Sequence, residues 1–319
     1  MTSKIITSKQ AAEMLCGADD ILLICHKNPD GDTLGSASGL MHALKKQGKT
    51  CAVLCHDEIP SKYDFLNIQL FEGQFVPQFV VAVDVADKKL MGEKTHPYSE
   101  NVNLCIDHHG SNTQYAQYLC CDSDSPAAAQ LMVQVVQNMG VEFDSQIADC
   151  LYTGIMTDTG CFKFSSTTSE THRIGALLMD AGAHHTMIST KFFMSRSRKT
   201  IELEKHALNT LEFLFDGRCA LIVLPKDLLE RLDAKQGDIE GISAIPRAIE
   251  GVDVGITLRQ NSLDSIKISV RTSEDADACK IAQGLGGGGH VRAAGCEFHG
   301  SLEDARAAIL REVEKALCI

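Results

Sequence analysis

The sequence predicts an α/β protein: an N-terminal open, mainly parallel sheet with helices on both faces (residues 1–185), a helical connector (186–216) and a smaller C-terminal α+β domain (217–319). Three observations carry this. The runs ILLIC (21–25), TCAVLC (50–55), FVVAVD (79–84) and NVNLCID (101–107) are almost continuously apolar, as strands covered on both faces of a parallel sheet must be. Amphipathic or turn-rich segments separate them, as crossover connections require. The chain has 319 residues and 44% hydrophobic content, enough for two ordinary cores.

ILLIC runs into HKNPDGDTLGS, where Pro29-Asp30-Gly31 reads as a turn and Asp32 as a cap for the helix SASGLMHALKKQGK, which Gly48 stops. Three helices follow the fourth strand, at 125–140, 145–160 and 169–183, the last two opening on serines that read as caps. From about Lys191 to Phe215 the chain has neither Pro nor Gly and reads as a connecting helix. Beyond it CALIVLP, VDVGITLR and IKISVRT read as strands, DADACKIAQGL as a helix, AAGCEFHG as a strand and SLEDARAAILREVEKAL as the last helix.

A formal net charge of −12 argues against a protein that grips long nucleic acid, which needs clustered Lys and Arg; small or short anionic substrates remain. No stretch of about 18 residues is free of charged or strongly polar groups, and MTSKIITSKQAAEML lacks the features of a signal peptide, so a cytoplasmic protein without membrane contact is expected. The 13 cysteines show no CxxC spacing and no even framework, so they read as reduced, mostly buried apolar residues.

Three of the four strands end in a potential metal ligand: His26 after the first, Asp84 after the third and Asp107-His108-His109 after the fourth. In open parallel sheets ligands bind beyond the strands' carboxyl ends, so these groups converge at one edge. Each is weak alone: His26 suits a buried structural histidine, Asp84 suits a cap, and Asp158 in Thr157-Asp158-Thr159-Gly160 suits a helix stop. Together with Asp30 and Asp32 they supply imidazoles and carboxylates enough for two divalent cations sharing one carboxylate, the arrangement of two-metal phosphoryl transfer. Mixed N and O donors favour Mn²⁺ over Mg²⁺.

In the C-terminal part, LGGGGHVRAAG formally contains GxGxxG at 284–289, but it follows a helix and no helix follows it, so a nicotinamide-binding fold is argued against. Four glycines beside His290 and Arg292 can approach an anion closely. Arg259 and Arg271, each at a strand end, are candidates for anion recognition or ordinary surface arginines. His184-His185 reads as a helix C-terminal cap.

The motifs HKNPDGDTLGS, VDVAD, DHHGSN, TDTG and GGGGHVRAAG, in that order over roughly residues 15–300, resemble those of the DHH phosphoesterases that carry a DHH-associated C-terminal domain, most of all the nano-RNase and pAp phosphatase branch. The resemblance implies hydrolysis of very short RNAs such as pApA, or of adenosine 3′,5′-bisphosphate (pAp), with two divalent cations, Mn²⁺ before Mg²⁺ or Co²⁺. It implies His26, Asp30 and Asp84 on one metal and Asp32, Asp84, His108 and Asp158 on the other. Asp107 then supports the site and His109 faces the substrate phosphate. Arg271, Gly288, Gly289 and His290 bind substrate from the second domain. Thr272 stands where the family commonly has serine. No long duplex is expected as a partner, and a homodimer is left open. The alternatives are a phosphodiesterase for linear or cyclic dinucleotide signals on the same site, or a non-catalytic nucleotide or metal sensor.

Overall fold

The computed structural model describes residues 2–239 and 241–318. The chain divides into two compact units, Met1–Ser195 and Arg196–Ile319.

In the first unit the described residues form one sheet of β1 (Lys4–Ile5), β2 (Ile21–Ile24), β3 (Cys51–Leu54), β4 (Phe79–Val83), β5 (Leu104–Asp107) and β6 (Tyr118–Cys121). The order is β1-β6-β5-β4-β2-β3 and every pairing is parallel. The four expected strands are β2, β3, β4 and β5; β1, of two residues, and β6 are additional. From β2 the chain steps outward to β3, then returns across β2 to β4. The order therefore reverses between β2 and β4, the crevice where such sheets bind ligands.

The long helices are α1 (Ser8–Gly17), α2 (Gly31–Lys46), α3 (Ala128–Asn138), α4 (Ser145–Asp158) and α5 (Ser169–Asp180). Leu15, Leu40, Leu44, Val133 and Leu151 from the first four pack with Ile21, Leu23, Val81 and Ile106 of one sheet face. The opposite face, with Leu22, Ile24, Ala82 and Cys105, is closed by Met91, Tyr98 and Phe71 from short turns and loops. Alternation of side chains along each strand sorts the two sets. At Gly35, on α2, an added Cβ would overlap the Cys150 carbonyl of α4, and at Gly39 it would come 2.7 Å from Leu151 Cδ2. Only hydrogen at these positions lets the two helices touch.

Two expected caps shift by one residue, because the true N-caps need extended backbone. Asp144 caps α4 by accepting Ile147 N–H, and Thr168 forms a capping box on α5 with Thr171. Ser145 and Ser169 are the first helical residues instead. In α2 the cap is Asp30, which accepts the N–H groups of Asp32 and Thr33, and not Asp32.

In the second unit the described strands are β7 (Glu212–Leu214), β8 (Cys219–Leu224), β9 (Val254–Ser262), β10 (Ser265–Thr272), β11 (Gly288–His290) and β12 (Ala293–His299), ordered β11-β12-β10-β9-β8-β7. Only β8–β9 is parallel among these pairs. Helices α6 (Arg198–Asn209), α7 (Ala278–Gln283) and α8 (Leu302–Leu317) accompany them. Ile256, Leu258, Ile268 and Val270 form the core with Ile281, Ile309 and Val313. The other face of β9 and β10 is polar, with Thr257, Arg259, Lys267, Ser269 and Arg271 alternating against those core residues.

The continuous connecting helix expected over 191–215 is broken. Thr190–Met194 is a π-helical turn, Ser195 is extended, and Ser197 caps α6 by accepting Thr200 N–H. The serines prefer capping to helix interior positions. The chain then enters edge strand β7 at Glu212. Among the described residues no helix is long and apolar enough to cross a membrane.

Candidate metal centre

All the expected ligand residues of the first unit meet beyond the carboxyl ends of β2, β4 and β5. His26 Nε2 lies 3.6 Å from Asp30 Oδ1 and 3.7 Å from Asp84 Oδ2. His108 Nε2 lies 3.5 Å from Asp84 Oδ1, 3.4 Å from Asp158 Oδ2 and 3.8 Å from Asp32 Oδ2. The cluster thus contains three overlapping triads among the described residues, His26-Asp30-Asp84, Asp84-His108-His109 and Asp32-His108-Asp158, each with its donor atoms within 4.8 Å of one another. Asp84 belongs to the first two and reaches His108 of the third.

Local structure holds each donor. Asp84 follows β4 directly, in the left-handed region (φ 59°), which an aspartate tolerates better than most residues, with its N–H on the Ile106 carbonyl. The cap expected of this segment is made by Asp87, which accepts Lys89 N–H. Thr33 Oγ1 donates to the Val83 carbonyl and ties α2 to the end of β4. Asp32, fully buried, accepts the N–H groups of Ala128 and Ala129 at 2.6 and 2.9 Å and Ser36 Oγ–H at 3.2 Å. It thereby supplies the cap that Ala127 cannot give α3. Asp158 is the last residue of α4, brought to the cluster by the Gly35 contact.

The donor set fits divalent cations. His26 Nδ1 donates to the Lys27 carbonyl (2.8 Å) and His108 Nδ1 to the Ser125 carbonyl (3.1 Å), which leaves each Nε2 lone pair facing the carboxylates. The gaps of 3.4–3.8 Å exceed a direct charge-assisted hydrogen bond. Asp84 Oδ1 is buried with no hydrogen-bond partner, a costly state for a carboxylate unless a cation satisfies it.

Electrostatics agree. Burial, then the charges of Asp32, Asp30, Asp107 and Asp158, push the Asp84 carboxyl well above its usual range. Burial and the charges of Asp32 and Asp30 raise Asp158 to about 8. Burial also raises Asp32, against the pull of His108 and the α3 amides. For His26, burial opposes the charge but the Asp30 carboxylate outweighs it, giving about 9. Protons thus take the places that cations would fill.

Asp107 is in none of these triads. Fully buried, its Oδ1 accepts His108 N–H, His109 N–H and His109 Nδ1–H (2.8 Å), and its Oδ2 accepts Asn112 Nδ2–H (2.6 Å). Despite burial, the His109 and Asn112 hydrogen bonds hold it below the usual carboxylate range. The Asp107 hydrogen bond in turn raises His109 and leaves its Nε2–H as the available donor. Asn112 and Ser125 escaped the sequence reading, although Asn112 stands in the DHHGSN stretch; a backbone carbonyl such as that of Ser125 leaves no trace in a sequence.

In the second unit the glycine motif is a hairpin and not an open loop: Gly288 pairs with Gly295, Gly289 with Ala294 and His290 with Ala293. A cavity of about 410 Å³ on the polar sheet face is lined by Arg271, Gly288 and Gly289, among others, whereas His290 lies outside its lining. Arg292 does not face it either, since its Nη1 donates to the carbonyls of Ser273 and Ala276 and pins that turn. His184 begins a short helix, with its N–H and Nδ1–H on buried Asp149 at 2.6 and 2.9 Å. It is an N-terminal bracket, not the expected C-terminal cap.

A parallel sheet with an Asp/His cluster at its switch point, followed by an α+β unit with a glycine hairpin, defines the class of protein. The chain belongs to the DHH family. The model of the DHH family, N-terminal domain, matches residues 20–155, and that of the DHHA1 domain matches residues 221–317. The chain is 31% identical over 304 residues to the bifunctional oligoribonuclease and PAP phosphatase NrnA of Thermus thermophilus, covering 93% of this chain and 90% of that one. It is 23% identical to the Bacillus subtilis protein of the same name, over 94% of this chain and 95% of that one. Among solved structures, an exopolyphosphatase-related protein from Bacteroides fragilis superposes with a TM-score of 0.86 at 26% identity, covering 97% of this chain and 96% of that one.

Proposed function

We propose that the protein is a two-metal phosphoesterase that hydrolyses very short oligoribonucleotides such as pApA and the 3′-phosphate of pAp, with Mn²⁺ as the preferred cation. The observation that carries the reading is the set of ligand triads joined at Asp84, whose buried Oδ1 has no hydrogen-bond partner. The relatives named for both activities support the choice of substrate.

His26, Asp30 and Asp84 hold one cation, and Asp32, Asp84, His108 and Asp158 the other. When bound, such cations polarise phosphoryl oxygens and make water a competent nucleophile near neutral pH. Asp107 positions His109, whose Nε2–H donates to the phosphate as negative charge develops there. Neighbouring Asn112 locks Asp107 so that His109 cannot turn away. Arg271 and the Gly288-Gly289 backbone hold a second phosphate of the substrate. His290, exposed beside them, contributes a further donor.

Purified protein with Mn²⁺ should release AMP from pApA and inorganic phosphate from pAp, and EDTA should stop both. Absence of both activities with Mn²⁺, Mg²⁺ and Co²⁺ refutes the reading. Retention of either one in Asp84→Ala refutes a single shared centre.

A further inference from the structure

The loop that carries His26 and Asp30 is held by a group outside the ligand triads. Strands β2 and β3 run side by side, Cys25 N–H continues their pairing on the Leu54 carbonyl, and Asp57, three residues beyond β3, reaches the loop at Asn28. Asp57 Oδ2 accepts Asn28 N–H at 2.7 Å, the length of a charge-assisted bond. Lys27 N–H donates to the Leu90 carbonyl, which fixes the preceding peptide. The Asn28 N–H and the Lys27 carbonyl belong to one peptide group. Every peptide bond among the described residues is trans, so these two point opposite ways: the N–H to Asp57, the carbonyl to His26 Nδ1 at 2.8 Å.

The backbone alone does not favour this orientation. Asn28 has φ 50°, in the left-handed region, and it precedes Pro29, whose ring pushes the residue before it toward extended backbone. Turning the Lys27–Asn28 peptide over by about 180° carries φ of Asn28 into that extended region. It also reverses both hydrogen bonds. The carbonyl then points at Asp57 and the N–H at His26 Nδ1, which has to accept it and leave the ring proton on Nε2, the atom a cation needs bare. Asp57 opposes the turn because an ionised carboxylate only accepts hydrogen bonds. Its own place is fixed by His56, whose Nδ1 accepts Lys94 N–H (3.2 Å) and whose Nε2 faces Asp57 Oδ1 at 3.9 Å. Gly92, at φ 82°, makes room for that ring: an added Cβ would come 2.4 Å from His56 Cγ.

We infer that Asp57 is a positioning residue for one cation only: by holding the Lys27–Asn28 peptide it keeps the ring proton of His26 on Nδ1 and the Nε2 lone pair toward Asp30 and Asp84. This rests on the proposed two-metal reading. Asp57 acts on His26 through the backbone and not by touching the ring. The other cation is outside its reach, since Asp32 is held by the amides of Ala128 and Ala129, and His108 by the Ser125 carbonyl.

Titration calorimetry with Mn²⁺ on wild type, Asp57→Asn and Asp57→Ala tests this, with melting temperature in EDTA as the check on folding. Asn keeps the size of Asp but serves either peptide orientation, so both variants should weaken one Mn²⁺ by about 10–100-fold and leave the other unchanged. His26→Gln supplies the second arm. Its Mn²⁺-induced rise in melting temperature should be no smaller when Asp57→Asn is added, because the two residues act in series. A further loss in the double variant, an equal weakening of both cations, or wild-type binding in either single variant overturns the inference and leaves the two-metal reading standing. Wild-type protein that binds fewer than two Mn²⁺ per chain overturns both.

Discussion

Replacing Asp84 by Asn should make the cation-free protein more stable and the cation-loaded protein less responsive, so the two melting curves exchange order when Mn²⁺ is added. Asn tolerates the left-handed backbone at this position (φ 59°), so the change removes charge and little else. Asp84 and Asp30 have carboxylate oxygens within 4.8 Å of each other. Two unit charges 4.8 Å apart repel by roughly 3.5 kcal/mol at an effective dielectric of about 20. Protonation already relieves part of this in the wild type, so a gain of about 1–3 kcal/mol is expected, or roughly 2–12 °C at ~2–4 °C per kcal/mol for a unit of this size. Wild-type protein at a Mn²⁺ concentration about 1,000 times its dissociation constant gains about 4.1 kcal/mol by mass action, and the variant should gain little of it. Differential scanning fluorimetry in EDTA and in Mn²⁺ reads both effects. An Asp84→Asn protein that melts below wild type in EDTA, or that keeps the full Mn²⁺ shift, refutes the idea that this carboxylate exists to be bridged by cations.

The same cluster predicts a pH trend. The folded-state values of about 8 for Asp158 and about 9 for His26 lie above the ordinary 3.8 and 6.5, so the native cation-free protein holds extra protons whose stabilising effect is lost as pH rises. Asp158 acts between about pH 3.8 and 8 and His26 between about 6.5 and 9, so the melting temperature in EDTA should fall most steeply between about 6.5 and 8, while Mn²⁺ affinity by calorimetry should rise with proton release; a flat profile contradicts the protonated cluster. Asp107→Asn should lower kcat about 100-fold with Mn²⁺ affinity within a few-fold of wild type, and move the basic limb of the kcat profile to lower pH as His109 loses its charged partner. Equal loss of metal affinity would make Asp107 a ligand instead. Gly35→Ala should force α2 from α4 at the Cys150 carbonyl and cost about 1–3 kcal/mol, with weaker Mn²⁺ binding because Asp32 and Asp158 ride on those helices. Unchanged affinity despite a lower melting temperature would detach helix packing from the centre.

The candidate centre was readable because its donors follow apolar strands, and strand ends of a parallel sheet converge whatever lies between them. Long runs such as Phe79–Val83 announce themselves through burial on both faces; the two residues of β1 do not. The caps were misplaced because Ser145 and Asp144 are both good capping residues, and only the backbone angle decides between them. Asp32 was read as a local cap because its actual partners, the amides of Ala128 and Ala129, are 96 and 97 positions away. The glycine run carries no strand signal, since glycine favours none of the regular structures; only pairing with β12 makes it a strand. The cavity on the polar face follows from cross-strand register, which single strands do not carry.

The hydrogen bonds from α3 to Asp32 bear on how activity decays in descendants of such a chain. Asp32 caps one helix and Asp30 another, so a drifting copy that no longer needs cations still loses helix stability by changing either. Asp84 Oδ1 has no such duty, and its repulsion even favours replacement. In a degenerate copy, Asp84 should therefore be the early casualty and Asp32 the last survivor. An intact HKNPDGDTLGS stretch is then a record of folding, and an intact VDVAD the better indicator of living catalysis.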